Sequence, residues 1–317
     1  MINKKIKIVF AGTPEFSVPS LKALHRQGYH ISLVLTQPDR KSGRGMNIKS
    51  SPVKQKAQEL NIPIFQPENL NDIEVFKKLT KLNADILVVA AYGLIIPSKI
   101  LEIFIKGSYN VHASLLPKWR GAAPIHRAIE NGDAKIGVTI MSVIPKLDAG
   151  DMILKESINL NKDANTGEMT NFLSEIGADL MVNVINDINI NKALKLTKQN
   201  EIEATYANKI KKSEAKVIWS EITSMEMIRK VNAFNPFPGV ICNFRGKVLK
   251  IWKATKGENI KVNKSGSLCV NQERSSLFIG TVDGVIEAKE IQLEGKRKMT
   301  AKEFIIANEI NNGELLS

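Results

Sequence analysis

At 317 residues the chain is long enough for two domains of roughly 100–200 residues each. Its 43% apolar and 24% charged composition is that of a soluble globular protein without a long disordered tail. Cys242 and Cys269 alone cannot build a disulfide framework or a zinc site, and no pair among the four histidines has metal-ligand spacing, so no metal is expected.

The formal net charge is +13. Residues 1–206 hold 26 Lys and Arg against 20 Asp and Glu, and residues 207–317 hold 19 against 12, so the last third carries more than half of the excess. Such a balance favours an anionic partner, nucleic acid or a membrane surface; a solvated basic surface explains the charge equally well. The N-terminus lacks the apolar core of a signal peptide. The longest apolar stretch, around Ile86–Tyr92, is far short of a membrane span. The expectation is a cytoplasmic protein with no membrane contact.

Strand-like and helix-like segments alternate through the first half. Ile6–Phe10 is a short apolar run ending at Ala11-Gly12-Thr13-Pro14. Phe16–Gln27 has helical spacing, with Val18, Leu21 and Leu24 on one face and Gly28 at its end. Ile31–Thr36 reads as a second strand, Ala57–Leu60 as helical, Pro63–Phe65 as a short strand and Asp72–Leu82 as a helix. Ile86–Ala91 is apolar on both faces, which suits a parallel sheet covered on both sides. Tyr109–His112, a helix near Ala123–Asn131, strands near Val138–Val143 and Ile153–Leu160, and a long helix over roughly Thr166–Asp187 follow. This alternation predicts a doubly wound α/β domain. Leu194–Tyr206 is polar and mixed and reads as a linker. After a helix near Ser224–Phe234, short strands broken by turns such as Arg245-Gly246 and Asp283-Gly284 predict a small β-barrel, the oligonucleotide-binding type being one form.

Four segments carry candidate chemistry. Ala11-Gly12-Thr13-Pro14 ends the first strand, where open α/β sheets bind ligands, but it has only one of the three glycines of a dinucleotide fingerprint. A structural turn is the alternative. In Asn110-Val-His112-Ala-Ser114, strand alternation puts Asn110 and His112 on one side. An imidazole can move a proton near neutral pH, and an amide N–H can stabilise an oxyanion. The same two side chains can also form a satisfied hydrogen-bonding pair. Asp148, in Leu147-Asp-Ala-Gly-Asp151, is loop-borne: a carboxylate beside an imidazole favours its protonated form, while an isolated turn Asp serves as an Asx-turn residue. Spacing alone does not bring it to His112. Finally, Gln37–Lys49 is a long basic loop with Arg40, Lys41, Arg44 and Lys49, residue types that contact phosphates. Its length favours function over an ordinary surface loop. Lys209, Lys211, Lys212 and Lys216 form a second basic run, or a solvated face.

Together these segments resemble the methionyl-tRNA formyltransferase family. The matching stretches are Phe10–Phe16, Thr36–Arg40 with Gly43-Arg-Gly45, Ser51–Lys54, Ala91-Tyr-Gly93, Asn110–Pro117, Trp119–Ile125, Leu147–Asp151 and Asn235-Pro-Phe-Pro-Gly239. The Asn-X-His…Asp set is common to enzymes that use 10-formyltetrahydrofolate, so it indicates the chemistry and not the acceptor. Relatives acting on glycinamide ribonucleotide typically have His where Met141 stands.

The resemblance implies a Rossmann-like catalytic domain over 1–190, a linker over 191–207 and an OB-like tRNA-binding domain over 208–317. It implies Asn110, His112 and Asp148 as the catalytic set, Ser114, Leu115, Leu116 and Pro117 at the folate site, and Arg44, with Arg40 and Lys41, on the acceptor stem of initiator methionyl-tRNA. The cosubstrate would be 10-formyltetrahydrofolate, and the chain is expected to work as a monomer without a metal. Two alternatives stay open at this point: a formyltransferase acting on an amino sugar nucleotide, and an inactive RNA-binding homologue. A nucleotide-binding dehydrogenase is disfavoured by the missing glycine fingerprint.

Overall fold

The computed structural model describes residues 6–42, 47–257, 260, 262 and 264–317. The chain divides into two compact units, and neither is a single stretch of sequence. One comprises Met1–Pro124, Lys135–Ile158 and Thr170–Ala207; the other comprises Ile125–Ala134, Asn159–Met169 and Asn208–Ser317.

The first unit is built on a seven-stranded sheet. Its strands are β1 (Lys7–Gly12), β2 (His30–Leu35), β3 (Ile64–Phe65), β4 (Ile86–Ala90), β5 (Ser108–His112), β6 (Lys135–Ser142) and β7 (Met152–Asn159), in the order β7-β6-β5-β4-β1-β2-β3. The strands from β5 to β3 in this order are parallel to their neighbours, and β6 runs antiparallel to β5. All five residues of β4 are buried, which is why that run carries no polar alternation. Helices α1 (Val18–Arg26), α2 (Pro52–Glu59) and α3 (Ile73–Leu82) connect the parallel strands.

The register aligns Gly12 with Ala90 and Val89 with Asn110, so β1, β4 and β5 finish on one edge. The turns there are cross-tied: Ser17 Oγ donates to Ala90 O at 2.6 Å and Thr13 Oγ1 to Tyr92 O at 2.9 Å. Gly12 is needed for this approach, since a Cβ would lie 2.8 Å from Ser17 Cβ and 3.0 Å from Ala90 O. The edge formed by the carboxyl ends of parallel strands is where α/β sheets bind ligands.

Two local features differ from the sequence reading. Helix α2 begins at Pro52, ahead of its apolar Ala57, because Ser51 caps it by accepting from Lys54 N and proline suits the first turn. The basic stretch 37–49 is no plain loop: Arg40–Ser42 pairs antiparallel with Asn47–Lys49. Its base is fixed by Asp39, which takes the Lys54 ammonium at 2.5 Å and Gln66 Nε2 at 2.8 Å.

The second unit contains helix α4 (Pro124–Asn131), the start of helix α5 (Thr166–Asn189), helix α6 (Ser224–Ala233) and an antiparallel sheet. The sheet strands are β8 (Val240–Phe244), β9 (Lys247–Lys256), β10 (Leu268–Val270), β11 (Leu277–Gly280) and β12 (Val285–Leu293), in the order β8-β9-β12-β11-β10. Leu249, Ile251, Ile279, Ile286 and Ile291 are fully buried on its inner face. Helix α7 (Ala301–Asn308), absent from the sequence reading, is opened by Thr300 and Glu303 in a reciprocal capping box. Among the described residues no helix is long and apolar enough to cross a membrane.

Candidate active site

Asn110 and His112 lie at the carboxyl end of β5, opposite Met141 and Thr139 of β6. Asn110 is half-buried and His112 is buried. After His112 the chain turns tightly: Ser114 N donates to His112 O at 2.9 Å and Ser114 Oγ to Lys118 O at 2.6 Å. Thr139 Oγ1 braces this turn by donating to Ser114 O at 2.7 Å and accepting from Leu116 N at 3.2 Å. Of the four residues assigned to the folate site, Ser114 and Leu116 are therefore turned inward, Leu116 packing with Met141 and Met152. Leu115 and Pro117 are half-exposed.

The fold brings Asp148 to His112, although 36 positions separate them in the chain. Asp148 Oδ2 is 3.7 Å from His112 Nδ1. That is charge proximity, beyond hydrogen-bond length. The hydrogen bond to this oxygen comes instead from Gly121 N–H, at 2.8 Å. The other imidazole nitrogen, Nε2, lies 3.0 Å from Trp119 O. A carbonyl only accepts, so Nε2 carries a proton there, and both ring nitrogens face acceptor oxygens. Asp148 itself stands at φ +45°, a left-handed conformation that aspartate tolerates better than most residues.

Residues 191–207, read from sequence as a linker, belong to the first unit and reach this centre. Gln199 Nε2 donates to Asp148 O at 2.8 Å and to Gly150 O at 2.7 Å. Its Oε1 accepts from Arg120 Nε at 3.0 Å. Arg120 is wholly buried, and its two remaining nitrogens meet Glu201 at 3.2 and 2.9 Å. The Arg120 guanidinium, followed by Lys146, pulls the Glu201 carboxyl down to about 2. Arg120 sits inside a quoted sequence motif, but nothing in composition marks it as buried. Gln199 and Glu201 lie in a segment without periodicity, so no sequence signal singled them out.

Two further features lie outside this centre. A cavity of about 540 Å³ lies at the start of β5, lined by Leu101, Ser108, Tyr109, Ser142, Val143 and Leu196 among others. Ser108 Oγ is buried there without a hydrogen-bond partner among the described residues. Beyond the carboxyl end of β2, Arg40 is exposed and donates to Gln37 Oε1 at 3.1 Å. Arg44 lies outside the described residues, as does the side chain of Lys41. Among the described residues there is no cluster of three His, Cys, Asp or Glu side chains arranged to hold a metal ion.

Residues 4–185 match the family model described as formyl transferase, and residues 209–309 match the model of the formyl transferase C-terminal domain. Fold and site thus define the class, a formyltransferase with both domains. At higher resolution, a methionyl-tRNA formyltransferase of Polynucleobacter asymbioticus is 43% identical over 314 residues, covering 94% of each chain. One of Coxiella burnetii is 44% identical over 303 residues, covering 96% of each. The chain belongs to the methionyl-tRNA formyltransferase family. Solved structures share the fold at lower identity. An N-formyltransferase from Helicobacter canadensis in complex with folinic acid and dTDP-3-aminofucose is 21% identical, with TM-score 0.65, covering 93% of this chain and all of that one. HypX from Aquifex aeolicus in complex with tetrahydrofolic acid is 16% identical, with TM-score 0.65, covering 95% of this chain; the chain spans about half of HypX, 47%.

Proposed function

We propose that this chain transfers the formyl group of 10-formyltetrahydrofolate to the α-amino group of methionyl-initiator tRNA, for translation initiation. The observation that carries the site assignment is the approach of Asp148 to His112 at the carboxyl end of β5, Oδ2 lying 3.7 Å from Nδ1, with Asn110 two residues back on the same strand. The methionyl amine attacks the formyl carbon on N10, and negative charge collects on the formyl oxygen. Asn110 donates to that oxygen through its amide, and His112 donates to it through Nδ1, the ring nitrogen not committed to Trp119 O. Collapse breaks the bond from carbon to N10; the amine gives up a proton and N10 takes one. The amine is itself the nucleophile, so no covalent enzyme intermediate is required. Asp148 orients the imidazole and balances its charge.

Leu115 and Pro117, with Ser114 and Leu116 behind them, border the reacting end of the donor.

The acceptor reading rests on the kinship with methionyl-tRNA formyltransferases and on the basic hairpin. Arg40, Lys41 and Arg44 contact acceptor-stem phosphates, and the basic second unit holds more of the tRNA. An amino sugar acceptor would need neither. A cytoplasmic, monomeric enzyme without a metal belongs to the same proposal. The test is to incubate the protein with 10-formyltetrahydrofolate and charged initiator tRNA and to assay formyl-methionine; its absence, with the donor intact, sinks the reading. Arg44→Ala is expected to weaken tRNA binding and to lower the slope of log affinity against log salt by about 1, with folate binding unchanged. An unchanged slope would remove Arg44 from the interface.

A further inference from the structure

Asp148 does not place itself. It stands in a turn, in a left-handed conformation, and its carboxylate is too far from His112 for a hydrogen bond to fix their separation. Besides the Gly121 N–H on its carboxylate, the turn is secured from outside at three points by residues 199–201. Gln199 uses both hydrogens of its amide, one on Asp148 O and one on Gly150 O. Lys146, at the front of the turn, meets Glu201 Oε2 at 2.8 Å. Gly150 permits the close packing on the other side, since a Cβ there would lie 1.9 Å from Ser142 O.

The segment 199–201 is in turn fixed by Arg120. That side chain is wholly enclosed, and it spends Nε on Gln199 and its terminal nitrogens on Glu201. Arg120 lies between the two backbone groups that touch the reactive pair: Trp119 O on His112 and Gly121 N–H on Asp148. Residues 119–121 are locked to the same segment by backbone. Thr205 Oγ1 accepts from Trp119 N at 2.9 Å, Thr205 O accepts from Arg120 N at 2.8 Å, and Tyr206–Ala207 pairs in parallel with Arg120–Gly121. The contacts form a closed circuit: His112 to Trp119, Arg120 to Gln199, Gln199 to Asp148, Asp148 to Gly121.

We infer that Gln199 is a positioning residue for the formyl-transfer reaction, acting through the backbone of Asp148 and itself aligned by the buried Arg120–Glu201 pair. The inference rests on the reading of Asp148 as a catalytic group. An amide is the side chain the geometry demands. It must donate twice to carbonyl oxygens and accept once from a guanidinium, and glutamate or leucine cannot do both. Displacing a catalytic group by about 1 Å can cost on the order of 100-fold in rate, so loss of this brace falls on turnover and not on substrate affinity.

The experiment compares Gln199→Glu, Gln199→Ala and Asp148→Asn in the full-length protein. Gln199→Glu keeps the acceptor for Arg120 and loses both donors. Single-turnover formylation by either Gln199 variant is expected to slow on the order of 100-fold, with KM for donor and tRNA within about twofold of the parent. Thermal melting confirms that each variant is folded. In an Asp148→Asn background the same Gln199→Glu change should cost far less, because the carboxylate it positions is gone. If Gln199→Glu and Gln199→Ala both run at near-parental rates while Asp148→Asn is inactive, this proposal is overturned and the site reading stands. Equal losses in the two backgrounds, or losses confined to KM, also overturn it. A near-normal rate for Asp148→Asn removes the site reading and this proposal together.

Discussion

Strand β5 and the segment 199–207 meet around the same carboxylate, and they are built in opposite ways. β5 is paired with β4 over Ser108–Val111 and with β6 over Tyr109–His112, and its position follows from backbone hydrogen bonding in the middle of a sheet. Residues 199–207 contain one 3₁₀ turn, Glu201–Glu203, and a two-residue strand. Their position is set largely by the side chains of Gln199, Glu201 and Thr205, with a short backbone pairing of Tyr206–Ala207 to Arg120–Gly121 at the end. The difference teaches a division of labour. The strand presents Asn110 and His112, the groups proposed to react, at a fixed spacing on a rigid element. The irregular segment supplies no reacting group and sets the distance at which a third one stands.

Breaking the strand side should give the largest effect. Asn110→Ala is expected to slow single-turnover formylation by about 10²–10³-fold through loss of an oxyanion donor, and His112→Ala by up to about 10⁴-fold. Near-parental rates for both variants would mean that the chemistry lies elsewhere. On the other side of the comparison, Arg120→Ala removes a large, wholly enclosed side chain and should cost about 2–4 kcal/mol of stability, read from the urea midpoint. A shift below about 0.5 kcal/mol would mean the segment is fixed by its backbone contacts alone, and the contrast with β5 would dissolve.

The smallest effect concerns pH. The Glu201 carboxyl is held at about 2 against an ordinary value of 4.5, chiefly by Arg120 and then by Lys146. A depressed carboxylate contributes stability that is fully present above its unfolded value and is lost as pH falls through its folded value. The parent should therefore lose melting temperature between pH 4.5 and about 2, and Glu201→Gln should lose less over that window. Glu201 is about half exposed, so solvent screening keeps this difference modest. Identical acid profiles would show that the ion pair adds nothing to the side-chain tether.

How much of this was legible in the sequence follows the same division. Period-two alternation put Asn110 and His112 on one side of a strand, and a strand they are. The α/β alternation likewise gave the parallel sheet. Asp148 had the right chemistry but no spacing that joined it to His112, because the meeting is made by the crossing of β5, β6 and the turn at 119–121. Gln199 had no signal at all: its role depends on three acceptor and donor groups that come from 120, 148 and 150. Two helix starts, Ser51-Pro52 and Thr300 with Glu303, are marked by caps, local signals that apolar spacing ignores.

The interleaved membership of the two units has a consequence for inheritance. Residues 125–134 and 159–169 lie within the catalytic half of the sequence but fold with the C-terminal part, where Arg127 pairs with Glu214 at 2.8 Å and Thr166 Oγ1 donates to Ala233 O at 2.6 Å. A recombination event that exchanged everything after residue 207 between two relatives would separate each of these partners from the residue it was selected with. Successful hybrids should therefore carry three inserts from one parent, and positions 127 and 214 should change together when they change at all.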